Sequence, residues 1–524
     1  MAADLTFGSI PQLYREVYDI ISPTQEQIDH DTFIKVLSKS NLQKHVLTQI
    51  WETADGGTGH LTRNGLYKAL ALTALAQQGK QLTDNVLETY TDQELPKPSL
   101  GDLSDLNKLS RKVHREKHHN ALLYRYEELC QLDTVKVELV PEKKGLILKH
   151  VEYEITSQKC RATVLRRYND FVSLHEMLLL RYPYRMIPRL PPKKMMGADR
   201  YFIEDRRKSL RRFLNAVVRH PVIGQDKVIK YFLTFNGSDL QHKIKAAFSG
   251  VPDEFMTNEL ALKAKDLVPM DTQLQFSSAR EHLRILTQTV THLRDIADRM
   301  VTRSCNAASD MLLMGKELNA LHNDTSLVST WATGNCDTWM YLKKGLKKVS
   351  LEFTTLSDKE REKGLQEDDG IVEQLNIFLD ILIAYRDLCD RQEKGVLTDH
   401  QRALQKMGQY KKKKMTATLH GPSEAGTVEQ LEHRILAQEN EISNMENRNY
   451  FSLYCVQMEC QLVHANMVLL YKVLENMADV QSKSHSELGR VWQEMVPIIA
   501  EIFPPTTSPL GSPHNSPTQA SISI

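Results

Sequence analysis

The spacing between apolar residues changes character three times along this 524-residue chain. Up to about residue 83 the apolar positions step by three and four. Phe33, Val36 and Leu37, then Val46, Leu47, Ile50 and Trp51, keep the period of amphipathic helices. Asp55-Gly56-Gly57-Thr58-Gly59 breaks that rhythm with a tight loop and Leu66 to Ala76 resumes it, so a helix–loop–helix module is predicted over residues 1–83. Residues 84–131 turn polar, with Leu95-Pro96-Lys97-Pro98-Ser99 as a breaker and a basic run from Arg111 to His119. They predict a linker with a short helix near 121–129. Alternation with period two takes over at Thr134–Val140, Ile147–Ile155 and Ala162–Arg167, with a turn at 141–145. Helical spacing follows over Phe171–Tyr182 and over Tyr201–Phe235, interrupted near His220-Pro221. Three strands followed by helices predict a compact α+β domain over 132–240, then a connector over 241–271.

From residue 272 the pattern lengthens. Ala279, Leu283, Leu286, Val290, Leu293, Ala297 and Met300 step by four and three, as do Leu342, Leu346, Val349, Phe353 and Leu356, and then Val372, Leu375, Leu379 and Leu382. A third seam runs Val428, Leu431, Ile435, Gln438, Ile442, Met445. After one extra four-residue step at Asn449 it resumes as Leu453, Val456, Cys460, Val463, Met467, Leu470, Leu474, Met477. A heptad seam with a stutter signals a coiled coil. Breaks near 322–335 and 420–427 leave three helices over 272–503, the middle one ~80 residues or ~120 Å if continuous. The Pro/Ser/Thr-rich segment 504–524 is expected to be disordered, with Ser508, Ser512 and Ser516 each preceding proline.

Composition narrows the classes. Lys+Arg 67 against Asp+Glu 66 leaves no bulk charge, so an anionic partner must meet a local patch. Seven scattered cysteines make no disulfide framework or zinc spacing and read as buried thiols of a reducing compartment. No apolar run reaches ~18 residues and no leader pattern opens the chain, so a cytoplasmic protein reaching membranes from outside is expected. No nucleophile, base or metal cluster is visible, which points away from an enzyme and from any cofactor.

The chemistry concentrates at Arg166-Arg167-Tyr168-Asn169-Asp170-Phe171, Leu190-Pro191-Pro192-Lys193 and Arg206. Arginine offers a planar, permanently charged fork for phosphate, and an adjacent aromatic gives the C–H face of a sugar-like ring an apolar floor. The proline pair stiffens the loop that carries Lys193, and Met195 and Met196 are placed to dip into lipid or to fill core. Nucleic acid is disfavoured, because the aromatics form no row of stacking platforms. Pro188-Arg189-Leu190-Pro191 also reads as a PxxP ligand.

These residues resemble the phox-homology (PX) domain. The resemblance implies phosphatidylinositol 3-phosphate as ligand, the lipid that marks early endosomes. Arg167 would hold the 3-phosphate, Tyr168 would lie against the ring, Lys193 would meet the 1-phosphate and Arg206 the 4- and 5-hydroxyls, with Arg166 structural or peripheral. The long helices resemble the BAR domain of the sorting nexins, a curved antiparallel dimer. That implies a homodimer, contact with an anionic membrane, tubule formation, cargo sorting and endosome-to-Golgi transport. Lys411, Lys412, Lys413 and Lys414 then fall near the tip of the rod, as membrane contacts or as a solvated helix end. Asp253 to Leu267, with Phe255, Met256, Leu260 and Leu262, reads either as an amphipathic wedge or as packing against the PX domain.

Leu47 to Asp55 followed by Gly59-His60-Leu61-Thr62 and Ala69-Leu70-Ala71-Leu72 resembles the EH domain, a small all-α pair of EF-hands. The resemblance implies Asn-Pro-Phe peptides bound around Trp51; a buried structural Trp51 is the competing reading. The EF-hand loop lacks its alternating carboxylates and closing acid and is one residue short, so no metal is expected. The whole predicts a multidomain EH–PX–BAR adaptor. A coiled-coil tether with no lipid reading is the alternative.

Overall fold

The computed structural model describes residues 9–22, 27–83, 87, 89–90, 93–117, 122–140, 151–193, 199–269, 271–324, 337–419 and 425–503. Met195 and Met196, the turn at 141–145, the start of the second predicted strand and the 504–524 tail lie outside them. No helix of the described residues is long and apolar enough to cross a membrane.

The first domain is built on four helices, α1 Gln12–Ile21, α2 His30–Leu37, α3 Lys44–Asp55 and α4 Arg63–Gln77. Two short strands, β1 Ile28–Asp29 and β2 His60–Leu61, pair antiparallel between the two helix–loop–helix halves. Gly56, Gly57 and Gly59 all take positive φ, which a Cβ would oppose, so this loop needs its glycines. Asp55 spends its carboxylate within the same loop, accepting from the Thr58 hydroxyl (2.8 Å) and the Gly59 and His60 amides (3.0 Å each). Burial alone would raise its pKa, but these donors outweigh it and hold the carboxyl below the usual carboxylate range.

The polar stretch 84–131 is more ordered than its composition predicts. Leu87, Leu95, Leu100 and Leu106 join the core formed by Tyr14, Phe33, Leu47, Ile50 and Leu70. The Tyr14 hydroxyl donates to the Pro96 carbonyl (2.6 Å), and the Gln77 amide brackets Ser99 through two 2.8 Å bonds. A helix α5, Leu103–Lys117, follows, then α6, Tyr126–Leu132. Four leucines spaced through polar sequence leave no periodic trace, which is why only tertiary packing reveals them.

In the second domain β3 Val135–Leu139, β4 Glu152–Ser157 and β5 Ala162–Arg167 form an antiparallel meander, with Val137 opposite Ile155 and Ile155 opposite Val164. Helices α7 Tyr168–Arg181, α8 Arg200–Val218, α9 Lys227–Thr234 and α10 Leu240–Phe248 cover one face. Phe171, Leu174, Phe213 and Phe232 fill the core with Tyr153, and Leu240 and Ile244 extend it past the predicted boundary at 240.

The connector holds two single turns, α11 Glu254–Thr257 and α12 Ala264–Leu267. Long helices follow: α13 Thr272–Asn323, α14 Asp337–Glu367, α15 Glu373–Arg391, α16 Thr398–Leu419, α17 Ala425–Asn466 and α18 Val468–Ala500. Single π-helical segments, Asp368–Val372 and Gln392–Leu397, join α14 to α15 and α15 to α16, so the middle helix runs unbroken from 337 to 419. The chain divides into two compact units, one of Met1–Glu281 with Asp380–Asn466 and one of His282–Leu379 with Met467–Ile524.

Within the second unit Val349 and Leu356 pack on Leu488, Val491 and Met495. A polar layer crosses it, where buried Glu367 accepts from the Ser304 hydroxyl (2.8 Å) and the Gln481 amide (2.6 Å). The predicted seam is only partly the buried one. Leu283, Val290 and Ala297 are buried as expected, but Leu293 is 45% exposed, and beyond the turn at Met467 the buried stripe moves to Leu469, Val473 and Val480, leaving Leu474 66% exposed.

Within the first unit, the stutter at Asn449 meets a matching irregularity. The π-helical segment places buried Gln392 opposite it, and Gln392 donates to Asn449 (2.8 Å) and accepts from Ser452. A stutter in one helix and a π turn in its neighbour thus share one polar layer. Of the cysteines, Cys389 and Cys455 are buried and burial pushes both thiols up, Cys389 to about 12, whereas Cys305 is exposed.

Candidate functional site

The two consecutive arginines of the motif point to different tasks. Arg166, on β5, is buried. It donates to the Phe232 carbonyl (3.0 and 2.5 Å), the Phe235 carbonyl (2.7 Å) and the Leu165 carbonyl (2.7 Å), and lies 5.2 Å from the Phe232 ring centre. It thereby caps the last turn of α9, whose carbonyls have no intrahelical partner. Burial pushes its pKa down to about 10, so it remains charged at neutral pH.

Arg167, one residue on, is the junction between β5 and α7. Its backbone amide donates to Asp170 (2.7 Å), which also accepts from Gln241 (3.0 Å). Its guanidinium is half-buried and bonds to none of the described residues. The backbone is held while the charged fork stays available.

Tyr168 and Arg206 form the floor. The Tyr168 hydroxyl donates to the Pro191 carbonyl (2.5 Å), closing the proline loop onto α7. Arg206, only 8% exposed, is sandwiched between the Tyr168 ring (4.7 Å) and the Phe202 ring (4.5 Å) and reaches the Pro192 carbonyl (3.4 Å). Its Nε has no hydrogen-bond partner among the described residues, and the buried Tyr153 phenol lies beside it. Burial of an arginine is costly unless its donors are met, and the Tyr153 phenol and the Pro192 carbonyl are the acceptors nearest to it among the described residues. Phe202 completes the sandwich but was invisible to sequence reasoning. Its only signal was its place one helical turn before Arg206. Lys193 is exposed at the end of the described part of the loop.

Other candidates separate. Arg189 of the PxxP-like segment is bonded to Asp387 (2.5 and 2.7 Å) and so is engaged within the fold. Lys411 and Lys414 pair with Glu439 (3.5 Å) and Glu432 (2.6 Å) of α17, while Lys412 and Lys413 stay exposed. Trp51 is 6% exposed, with the His30 ring edge-on at 5.1 Å and the Phe33 ring at 5.3 Å. The ring is thus part of the core of the first domain.

Arginines set against aromatic rings on an α+β domain, followed by long helices, are the arrangement of a PX–BAR protein. Family models agree: the EH domain matches residues 11–101, the PX domain 154–236 and the sorting nexin 8/Mvp1 BAR domain 249–503. Mouse sorting nexin-8 is 50% identical over 394 residues, 75% of this chain and 85% of its own length; the human protein is 49% identical over 396 residues. Sorting nexin mvp1 of Neurospora crassa is 30% identical over 374 residues, 70% of this chain and 47% of its own. A solved SNX-BAR Mvp1 tetramer shares the fold at TM-score 0.56 and 23% identity, over 69% of this chain and 99% of that one. The chain belongs to the sorting nexin family, in the group that contains sorting nexin-8.

Proposed function

We propose that this chain binds phosphatidylinositol 3-phosphate on the cytoplasmic face of early endosomes and, as a homodimer through its BAR helices, senses or generates curvature for cargo sorting and endosome-to-Golgi transport. The observation that carries the lipid reading is Arg206, buried between the Tyr168 and Phe202 rings, with an Arg167 next to Tyr168 whose guanidinium bonds to none of the described residues. Arg167 takes the 3-phosphate, Tyr168 underlies the ring, Arg206 meets the ring hydroxyls and Lys193 the linking phosphate. Lys412 and Lys413 add contact with anionic lipid, each worth ~1 kcal/mol near such a surface. Met195 and Met196, which follow Lys193 in the sequence, complete the membrane contact.

Arg167→Ala is expected to cut flotation on vesicles containing phosphatidylinositol 3-phosphate by about thirtyfold, from the loss of ~2 kcal/mol of charge-assisted bonding. Unchanged flotation would favour the tether without lipid reading. The homodimer is supported by seam residues that the chain leaves uncovered, Leu293 and Leu474. A second copy would bury them, and two lipid sites on one body gain ~10²–10⁴ in avidity. Leu474→Glu is expected to shift sedimentation toward monomer at micromolar concentration; an undisturbed dimer peak refutes that interface.

A further inference from the structure

Arg185 follows α7 in the PX domain and is buried together with two acids from other parts of the chain. It donates to Glu254 of the connector (2.7 and 2.9 Å) and to Glu459 of α17 (3.1 Å). Glu459 has no exposed surface. It also accepts from the Met186 amide (3.3 Å) and from His220 Nε2 (3.0 and 3.1 Å). The partners fix the imidazole tautomer. Nδ1 accepts from the Val222 and Ile223 amides (3.2 Å each), so Nε2 carries the proton and donates. Arg391 of α15 closes the set by donating to the Pro183 and Arg185 carbonyls (3.2 and 2.6 Å). Two guanidinium and two carboxylate groups thus surround the imidazole.

Such a group is poorly suited to plain stability, because desolvating buried ions offsets much of what their pairing returns. It is well suited to specificity. Only one docking geometry satisfies every donor and acceptor, and any displacement strands a buried charge. Its members come from three places that sequence separates, the PX domain, the connector and two rod helices. Its rim repeats the pattern, with Arg212 on Asp380 (2.7 Å) and Arg448 on Asp253 (2.7 Å).

We infer that Arg185, Glu254, Glu459 and His220 are positioning residues that lock the PX domain to helices α15 and α17 in a single orientation, so that the lipid pocket is presented to the bilayer at a fixed angle. The lock makes membrane binding by the whole chain stronger than headgroup binding by the pocket. It rests on the lipid reading above only for its consequence, not for its geometry.

The test is Glu459→Gln in the full chain. Hydrogen exchange is expected to speed up at least tenfold at the Met186 amide and through 253–267, while the β3–β5 amides keep their rates. Affinity for phosphatidylinositol 3-phosphate vesicles is expected to fall at least tenfold, with affinity for the soluble short-chain lipid unchanged. Unchanged exchange at Met186 overturns the lock. Equally faster exchange in β3–β5 also overturns it, since Glu459 would then support the PX fold itself. Glu254→Gln, which leaves the rod helices intact, is expected to reproduce the same split should the first variant fail to fold. If the unaltered chain ignores the short-chain lipid, the lipid reading falls while the exchange data still decide the lock.

Discussion

Arg166→Ala is expected to destabilise the PX domain by about 3–5 kcal/mol, while Arg167→Ala beside it changes stability by less than about 0.5 kcal/mol. The substitution at 166 removes the donors to the Phe232 and Phe235 carbonyls at the end of α9 and empties the space over the Phe232 ring. Each buried carbonyl left unpaired costs about 1–3 kcal/mol, and the lost packing adds to that. Exchange rates of the β3–β5 amides measure it. Rates in Arg166→Ala that match those of the parent would sink the capping role. The expected pair of results would show that one dipeptide divides its work, with only the first arginine holding the domain together.

The second large effect is expected at Phe451. Its ring is fully buried, edge-on to Tyr184 (6.0 Å) and Phe255 (5.7 Å) and stacked on Tyr454 (6.2 Å). Phe451→Ala removes a whole aromatic side chain from this cluster, a change that costs about 3–5 kcal/mol when the cavity cannot collapse. The connector loses its main apolar seat, since Phe255, Ala261 and Ala264 pack there. Limited proteolysis is expected to cut at Lys263 and Lys265 many times faster than in the parent. Equal cutting would mean that the connector is held by something other than this cluster. The same packing decides between the two readings of the connector. It is the packing reading, with a partner other than the expected PX domain: Phe255 lies on Phe451 and Arg448 of α17, while Met256 and Leu262 are exposed.

Local sequence carried much of this. The three-and-four spacing of Phe33, Ile50 and Trp51 gave the first helices, the alternation in 162–167 gave β5, and the Arg-Arg-Tyr block with its proline loop marked the PX domain. Those signals are legible because the period of a helix or strand is written in neighbours a few positions apart. The same reasoning stopped where partners are distant. It took 84–131 as a linker, because leucines scattered in polar sequence show burial only once the EH core is folded. It carried the third seam on through Leu474, because a heptad cannot register the turn at Met467 that rotates the stripe.

By itself, then, the sequence determined the kinds of module and their order along the chain, and it singled out the residues proposed to meet lipid. Tertiary structure alone decided that Arg166 holds carbonyls while the Arg167 guanidinium bonds to none of the described residues, that Phe202 closes the sandwich on Arg206, and that Glu459 is buried against Arg185 and His220. Periodicity is a local property of the chain. The partners of a buried charge lie up to 274 residues away and are chosen only when folding removes water from between them.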